Sequence, residues 1–433
     1  MERLPNELRE EILRYLQLQD IKSIRLASTS WAELAQPYLI PPTFLSLPHR
    51  DDFGRLLLLS QHPSFACSIE KLELDMGELN EYHARHNTFF VQYMRDPEDR
   101  DHESHGAWAE YAELKSRKES LADKYCTLDI LEEVFKNLPK LRAIDINLMR
   151  CPFRHPLLQQ IWQIPTTRLL SRVSTTQRFS NIIYAARHLS LESLTHDCLP
   201  FEVWSQRSIL ENVRATFQGL RTLKVCLDYS VFPNALRSSN SFSGFSSALY
   251  AAPNLRTLHI GFANSVRPHL NFTEYMGEYT WRNLHTLGLE GMNIAEDDVA
   301  SFLTRHAATL KRLQLGVYKT SGYTQRVANM QNIFQFRQGT LRGLLTRIRE
   351  AMRLEKLNIK GDVMEDTDSL TPYKYGPGLY NDEWIQVPDA VNTAASALAA
   401  ERFVLEETEW DNAMTRFMTV SMVLTETDTM DNE

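Results

Sequence analysis

A six-residue pattern, apolar-x-x-apolar-x-apolar, recurs eight times and restricts the folds open to this 433-residue chain. The copies begin at Ile69, Leu141, Ala186, Leu220, Leu255, Leu284, Leu310 and Leu354. Apolar residues alternate at the end of each copy, as a strand with one buried face requires. Helical periodicity precedes several copies, so each unit is predicted to contain a helix, a turn and a short strand.

These units predict an α/β fold with parallel strands and an outer layer of helices. Because no unit of this size buries its apolar face alone, the units should stack into one irregular solenoid, which we place at residues 43–360. The first interval between copies is 72 residues, whereas the others are 26 to 45 residues. A charge-rich insertion at residues 80–127 would account for the difference.

The C-terminal part has a different composition. Residues 361–389 are rich in Pro and Gly and are predicted to form an irregular connection. Residues 401–433 hold nine acidic and two basic side chains, which is most of the chain's net charge of −8. We interpret residues 390–433 as a cap helix with an acidic tail; a surface that recruits a basic partner is the alternative. The Ser-rich stretch Ser238–Ser247 is interpreted as a flexible loop.

The first 40 residues carry a helical pattern of their own. Leu8, Ile12 and Leu16 recur every four residues after Pro5, a residue favoured at the start of a helix. Ser30 begins a Ser-Trp-Ala-Glu capping box, which predicts the start of a third helix. Forty residues are too few for a large core, so this unit should leave apolar surface over for a partner.

This N-terminal unit, residues 1–42, resembles a trihelical F-box. The residues in the family's order and spacing are Leu4-Pro5, Glu7-Leu8, Ile12-Leu13, Leu16, Asp20-Ile21, Arg25-Leu26, Ser28, Trp31 and Leu34-Ala35. Ala27 departs from the family, which usually has a bulkier apolar residue there. The resemblance implies docking on the Skp adaptor of a cullin-RING ubiquitin ligase. It places Leu4, Pro5, Leu8, Ile12, Leu13, Leu16, Ile21 and Trp31 at or behind the docking surface.

The residues that follow are similar to leucine-rich repeats, in the divergent form found in F-box proteins of filamentous fungi. Regular repeats carry Asn or Cys three residues after the last strand Leu, and here other residues stand at those positions, so the usual ladder of side-chain bonds to the backbone is expected to be absent. The resemblance implies that the repeats bind a protein target. Strand residues that alternate with the buried ones should face it, which gives the candidate surface Lys224, His259, Glu290, Arg312, Gln314, Lys356, Asn358 and Lys360.

Motifs of catalytic chemistry are missing from the sequence. It contains no phosphate-binding loop, dinucleotide-binding fingerprint, nucleophile elbow or His-Glu-x-x-His motif, so we expect no enzyme activity and no cofactor. His83 and His86 are three residues apart, as are His102 and His105, and such pairs can share a metal on a helix. We interpret them as solvated side chains of the charged insertion, and no metal is expected.

The remaining expectations concern location and function. Five scattered cysteines and an N-terminus without an apolar region predict reduced thiols, no signal peptide and a cytoplasmic and/or nuclear protein. Mild acidity argues against nucleic-acid binding, and no membrane contact is expected. We predict the substrate-recognition subunit of a Skp–cullin–F-box ligase, with the adaptor, through it a cullin, and an unknown protein target as partners. The alternative is a non-ligase scaffold that uses the F-box–adaptor contact alone.

Overall fold

The computed structural model describes residues 4–86, 97–162, 167–169, 171–228, 235–262, 272–316, 334–360, 363–365 and 400–405. Of these, residues 86, 97–104, 235–239, 293, 334–335, 337, 360 and 363–365 are described by their backbone. The predicted connection at 361–389 lies almost entirely outside the described residues. So does the predicted C-terminal cap, apart from residues 400–405, which are helical and place Phe403 in the main core.

The chain begins with three short helices: α1 (Asn6–Tyr15), α2 (Leu18–Ile24) and α3 (Thr29–Ala35). One 3-10 turn, Gln36–Leu39, follows. Helix α1 starts after Pro5, as predicted. Helix α3 starts earlier than the capping box suggested, because the side chain of Ser28, and not that of Ser30, accepts the N–H of Trp31.

A nine-stranded parallel sheet confirms the predicted mixed α/β class and strand direction. Its strands lie in chain order: β1 (Thr43–Ser46), β2 (Lys71–Asp75), β3 (Ala143–Asn147), β4 (Ser193–Pro200), β5 (Thr222–Asp228), β6 (Thr257–Phe262), β7 (Thr286–Glu290), β9 (Arg312–Gly316) and β11 (Lys356–Lys360). Strand β1 was not predicted. A second parallel sheet contains β8 (Asn293–Ala295), β10 (Phe334–Gln338) and β12 (Val363–Glu365).

Strand register places equivalent residues of the repeated pattern side by side. The middle apolar residues form one row: Leu72, Ile144, Leu194, Leu223, Leu258, Leu287, Leu313 and Leu357. All of them are buried, so one face of the sheet is a continuous apolar ridge.

The third pattern copy was predicted at the wrong residues. It was placed at Ala186–Leu191, but Ala186 ends a helix and strand β4 starts at Ser193. The true copy runs from Leu191 through Leu194 to His196, which is buried where the neighbouring strands have Ile146 and Val225. A search for apolar residues alone does not find a copy that ends in His.

Twelve further α-helices lie among the described residues between the N-terminal unit and the helical residues 400–405: α4 (Asp52–Ser60), α5 (Pro63–Ala66), α6 (Glu81–His86), α7 (Pro97–Leu121), α8 (Leu128–Asn137), α9 (Pro156–Trp162), α10 (Arg172–Ala186), α11 (Arg207–Thr216), α12 (Ala235–Tyr250), α13 (Phe272–Met276), α14 (Glu296–Arg305) and α15 (Leu341–Ala351). Helices α4, α8, α10, α11, α12, α13, α14 and α15 contact one another in that order. They pack on the apolar ridge in one large core.

The Ser-rich stretch is helical, which corrects the predicted loop. It lies in α12, where Phe245 and Leu249 are buried one turn apart. Gly244 permits this packing, because a Cβ at this residue would lie 1.8 Å from the carbonyl oxygen of Trp204. The apolar spacing therefore decides the structure, and Ser241 and Ser246 are buried together with the apolar residues.

The predicted insertion contains α6 and α7, which pack in a separate small core. Ala107 and Tyr111 of α7 are buried against Phe153 and α9, while most of the described remainder of α7 is exposed. Tyr125, which the predicted insertion included, belongs to the main core, and its hydroxyl donates to the carbonyl oxygen of Asp75 at 2.8 Å. The part that stands apart from the main core therefore ends before Tyr125.

Candidate functional site

The N-terminal unit has a small interior built around Trp31. Leu13, Ile21, Trp31 and Ala35 are buried together. The guanidinium of Arg9 lies 5.5 Å from the centre of the Trp31 ring and donates to the hydroxyl of Ser30 at 2.6 Å. These contacts fix α1 against α3 and leave the opposite side of α1 open.

Apolar side chains remain exposed on the outside of this unit. Leu8 on α1 is 53% exposed, Leu26 after α2 is 89% exposed, and Leu18 and Tyr15 are also exposed. So many uncovered large apolar side chains on about 40 residues are typical of a surface that a partner covers. Leu26 belongs to the residues that match the F-box pattern but was left out of the predicted docking residues. For Leu18 and Tyr15, the sequence indicated nothing about docking beyond their apolar character.

The predicted adaptor-binding residues divide into three groups by exposure. Pro5 and Leu8 are exposed, and Leu4, Ile12 and Leu16 are half-buried. Leu13, Ile21 and Trp31 are buried behind them. Pro5 and Leu8 are thus the most accessible of the eight, whereas the third group supports the helices from within.

A short connection joins the unit to the sheet. The hydroxyl of Ser68 donates to the carbonyl oxygen of Pro37 at 2.6 Å, and Ile40 packs against the main core. The 3-10 turn also contacts α5. The N-terminal unit is therefore held against the first strands of the sheet.

The candidate target-binding residues are not equally accessible. Arg312 and Lys356 are exposed, Lys224, Gln314 and Asn358 are half-buried, and Lys360 is described by its backbone. His259 and Glu290 are 4% and 2% exposed, which corrects their assignment to an open surface.

His259 and Glu290 are buried because the neighbouring strands leave room for them. His259 Nε2 lies 3.3 Å from Glu290 Oε2. A Cβ at Gly288 would lie 1.9 Å from His259 Nδ1, and one at Gly261 would lie 3.3 Å from Glu290 Oε2. The two glycines therefore provide the space for this polar pair. The alternation of residues along one strand did not predict this burial, because the glycines lie on the neighbouring strand in each case.

Charged side chains are concentrated at β2 and β3. Lys71 Nζ lies 2.8 Å from Glu73 Oε1 and 2.6 Å from Asp145 Oδ2. Arg150 pairs with Glu73 at 3.2 Å and with Asp75 at 3.3 Å. This network crosses two neighbouring strands and makes the start of the sheet more polar than its middle.

Two buried ionisable residues follow each other in β4. Burial lowers the pKa of His196 to about 3 and raises the pKa of Asp197 to about 7. The Asp197 carboxylate accepts the backbone N–H groups of Leu148 and Met149 at 2.7 and 2.9 Å. Asp197 thus bonds the backbone that follows β3 from a position one residue after His196, whereas the pattern's Asn or Cys position in this unit is held by Leu199.

The possible metal site of the insertion is not assembled among the described residues. His83 and His105 are exposed, and the side chains of His86 and His102 lie outside the described part. No group of three His, Cys, Asp or Glu in that part is placed to bind a metal ion. All five cysteines are free. None of the described helices is long and apolar enough to cross a membrane.

Comparison with known families decides what the N-terminal unit is. Residues 1–40 match the family described as F-box-like. The chain carries an F-box-like domain. This domain type is a non-catalytic recognition module that binds Skp-type adaptors, and the match covers the three helices with their exposed leucines. Across the whole chain, comparison with curated protein sequences finds no match.

Proposed function

We propose that this chain is the substrate-recognition subunit of a Skp–cullin–F-box ubiquitin ligase. The observation that carries the proposal is the F-box-like domain at residues 1–40, in which Leu8 on α1 and Leu26 after α2 are exposed while Leu13, Ile21 and Trp31 form the interior. Burial of such leucines against an adaptor would supply the main favourable term of binding.

The sheet region supports the second half of this proposal. We assign residues 43–360 to a divergent leucine-rich-repeat-type solenoid; the support is that nine parallel strands among the described residues follow chain order, with helices in the same order. A rigid array of this kind holds a target at a fixed distance from the adaptor. Catalysis by the complete ligase is then a matter of proximity, and this subunit contributes position and effective concentration.

Affinity purification with mass spectrometry tests this proposal. The tagged full chain should retain a Skp-family adaptor and a cullin, together with targets. Leu8→Asp should lose the adaptor and the cullin but keep the targets, since Leu8 is outside the sheet. A full chain that retains neither adaptor nor cullin would refute the ligase function.

The non-ligase scaffold is the second candidate, and the same exposed leucines support it. It predicts that the full chain retains the adaptor in stoichiometric amount without any cullin. The two candidates share the F-box contact and differ in the cullin alone, so a single purification separates them.

A further inference from the structure

Cations are concentrated where the chain enters the later strands of the large sheet. Five residues precede the middle apolar residue of each pattern copy, and the last of them begins the strand. From β5 to β11 these segments, residues 218–222, 253–257, 282–286, 308–312 and 352–356, form what we call the basic edge. It holds seven cations: Arg221, Arg256, Arg282, Lys311, Arg312, Arg353 and Lys356. Its one carboxylate is that of Glu355, so its net charge is +6 on a chain of −8.

The earlier strands do not share this excess of positive charge. The equivalent five residues carry no net charge before Leu72, +2 before Ile144 and −1 before Leu194. Cations that follow a helix can balance the partial negative charge of its C-terminus. Helices α8 and α10 also end just before β3 and β4, however, so helix ends alone do not account for the excess from β5 to β11.

Backbone pairing places the cations of the basic edge side by side. The N–H of Arg256 donates to the carbonyl oxygen of Arg221 at 2.8 Å. His285 and Lys311 continue this line of bonds, at 2.8 and 2.9 Å. Strand register aligns the next residues in a second row: Thr222, Thr257, Thr286, Arg312 and Lys356. Because neighbouring strands are about 4.8 Å apart, the five strands present a band about 19 Å long.

Most cations of the basic edge are accessible and have no charged partner. Five of them form no ion pair with a carboxylate of the described residues: Arg256, Arg282, Lys311, Arg312 and Lys356. Four of these five are exposed, and Lys311 is half-buried. Arg221 differs, since it lies 3.3 Å from Glu192. The charge of the five is therefore available to an occupant, and the half-buried threonine hydroxyls in the same row can donate hydrogen bonds to it.

The distribution of charge favours an occupant that is anionic and short. The basic edge carries +6, which leaves −14 for the rest of the chain. A long polyanion such as a nucleic acid would extend beyond the band and meet this negative charge. A peptide of about six extended residues spans the band of about 19 Å and stays on it.

The basic edge lies at the same edge of the sheet as the connection to the N-terminal unit. The backbone N–H groups of Glu70 and Lys71 both donate to the carbonyl oxygen of Pro42, at 2.8 and 2.9 Å. Glu70 and Lys71 have in β2 the positions that Arg221 and Thr222 have in β5. An occupant of the basic edge would thus begin three strands, about 14 Å, from this connection, close to the unit that binds the adaptor.

We propose that the basic edge binds an acidic linear segment of the target protein, with its carboxylates against Arg256, Arg312 and Lys356. The inference rests on the proposed function and adds the chemistry of the target. It also moves the binding surface away from the strand centres, where His259 and Glu290 are buried, to the amino-terminal edge of the same strands.

Fluorescence anisotropy with peptide pools tests the proposal on the full chain, with and without its adaptor. The probes are fluorescein-labelled nonapeptides in which Asp and Glu alternate with Gly and Ser. A second pool has the uncharged isosteres Asn and Gln at the acidic positions, and a third pool has Lys and Arg there. The acidic pool should bind at least about tenfold more tightly than either other pool, and added salt should weaken it, because exposed ion pairs are screened.

Charge-reversal variants locate the binding site. Arg256→Glu, Arg312→Glu and Lys356→Glu should each weaken the acidic pool at least about fivefold. These side chains are exposed, so the thermal midpoint should be kept. Arg207→Glu is the matched control, because it changes the net charge equally but lies at the first residue of α11, whose other end leads to the basic edge. Arg207 is 93% exposed, and the variant should bind the pool as the wild type does.

Four results would overturn the proposal. The first two are an acidic pool that binds no better than the amide pool, and edge variants that bind like Arg207→Glu. The third is a chain lacking residues 406–433 that binds the acidic pool at least about tenfold more tightly, which would make the chain's own acidic segment the occupant. The fourth is a labelled single strand of about 20 nucleotides that binds at least about tenfold more tightly than the acidic pool, which would assign the basic edge to nucleic acid.

Adaptor capture by the same full chain separates this proposal from the proposed function. The basic edge lies outside the N-terminal unit, so its variants should keep the adaptor. Adaptor binding without peptide binding would refute the basic edge alone, whereas peptide binding without adaptor binding would refute the ligase function alone.

Discussion

The N-terminal unit leaves many of its large apolar side chains exposed, whereas the sheet region buries its apolar row. The N-terminal unit encloses four fully buried apolar residues and exposes Leu8, Leu18 and Leu26. In the sheet, the row that contains Leu258 and Leu287 is buried from β2 to β11. The sheet completes its own core, whereas the N-terminal unit leaves these leucines uncovered.

This difference assigns different tasks to similar residues. A leucine in a strand row contributes to the free energy of folding, because it fills space inside a close-packed core. A leucine on the outside of α1 contributes little to folding, but it contributes to binding once a partner covers it. Leucine content alone does not distinguish these two roles, and exposure in the fold does.

Truncation of the row leucines should have the largest effect. Leu258→Ala or Leu287→Ala leaves a cavity between neighbouring strands, and we expect the free energy of unfolding to fall by about 2–5 kcal/mol. Asn358→Ala, at a half-buried position that alternates with the row in β11, should change it by less than about 0.5 kcal/mol. Urea unfolding measures both. Equal losses at Leu258 and Asn358 would mean that the strand register is wrong.

Removal of the insertion should have a smaller effect. Replacing residues 83–124 with a short Gly/Ser linker removes α7 but keeps Tyr125 in the main core. The core that α7 shares with Phe153 is separate from the main one, so we expect the midpoint to fall by about 2–4 °C, which corresponds to about 1 kcal/mol. Calorimetry measures the midpoint. A chain that no longer unfolds cooperatively would show that α7 belongs to the main core.

The contributions of His196 and Asp197 to stability should depend on pH in opposite directions. Below pH 6.5, His196 binds a proton in the unfolded chain and stays neutral in the folded one, so its contribution to stability falls as the pH falls. Asp197 stays protonated in the folded chain up to about pH 7, so its contribution falls as the pH rises from about 4 to 7.

Single substitutions separate these two contributions. In Asp197→Asn, stability relative to the wild type should fall on acidification from pH 6.5 to 4.5, by about 1 kcal/mol per pH unit. In His196→Gln, it should rise over the same interval by a similar amount. Urea titrations at several pH values provide the measurement. Parallel profiles for the two variants would show that burial does not shift these groups in opposite directions.

The sequence predicted what depends on repeated spacing. Seven of the eight pattern copies begin where strands of the sheet follow, and parallel strand direction came from the same reasoning. The predictions from this spacing were wrong where polar residues stand at an apolar position of the pattern or surround the apolar residues. His196 occupies an apolar position in β4, and the serines around Phe245 hide a helix.

The candidate sites were predictable to a more limited extent. The order of apolar residues in the first 40 residues identified the F-box-like domain, but it did not separate exposed Leu8 from buried Leu13. Whether a strand residue is exposed depends on neighbours far away in the chain, as Gly288 shows beside His259. Leu79, Tyr111 and Phe153 share the small core beside α7 although they are far apart in the chain, and no local pattern in the sequence connects them.

One measurement tests the division between binding unit and scaffold most directly. Leu8 in α1 and Leu58 in α4 are both exposed leucines, 53% and 69%, on either side of the boundary between the two regions. The dissociation constant of the full chain for a purified Skp-family adaptor is measured for Leu8→Asp, Leu58→Asp and the wild type. Leu8→Asp should weaken binding at least about thirtyfold, or about 2 kcal/mol, and Leu58→Asp by less than about twofold, with unchanged thermal midpoints. Wild-type affinity in Leu8→Asp, or equal losses in both variants, would contradict the account.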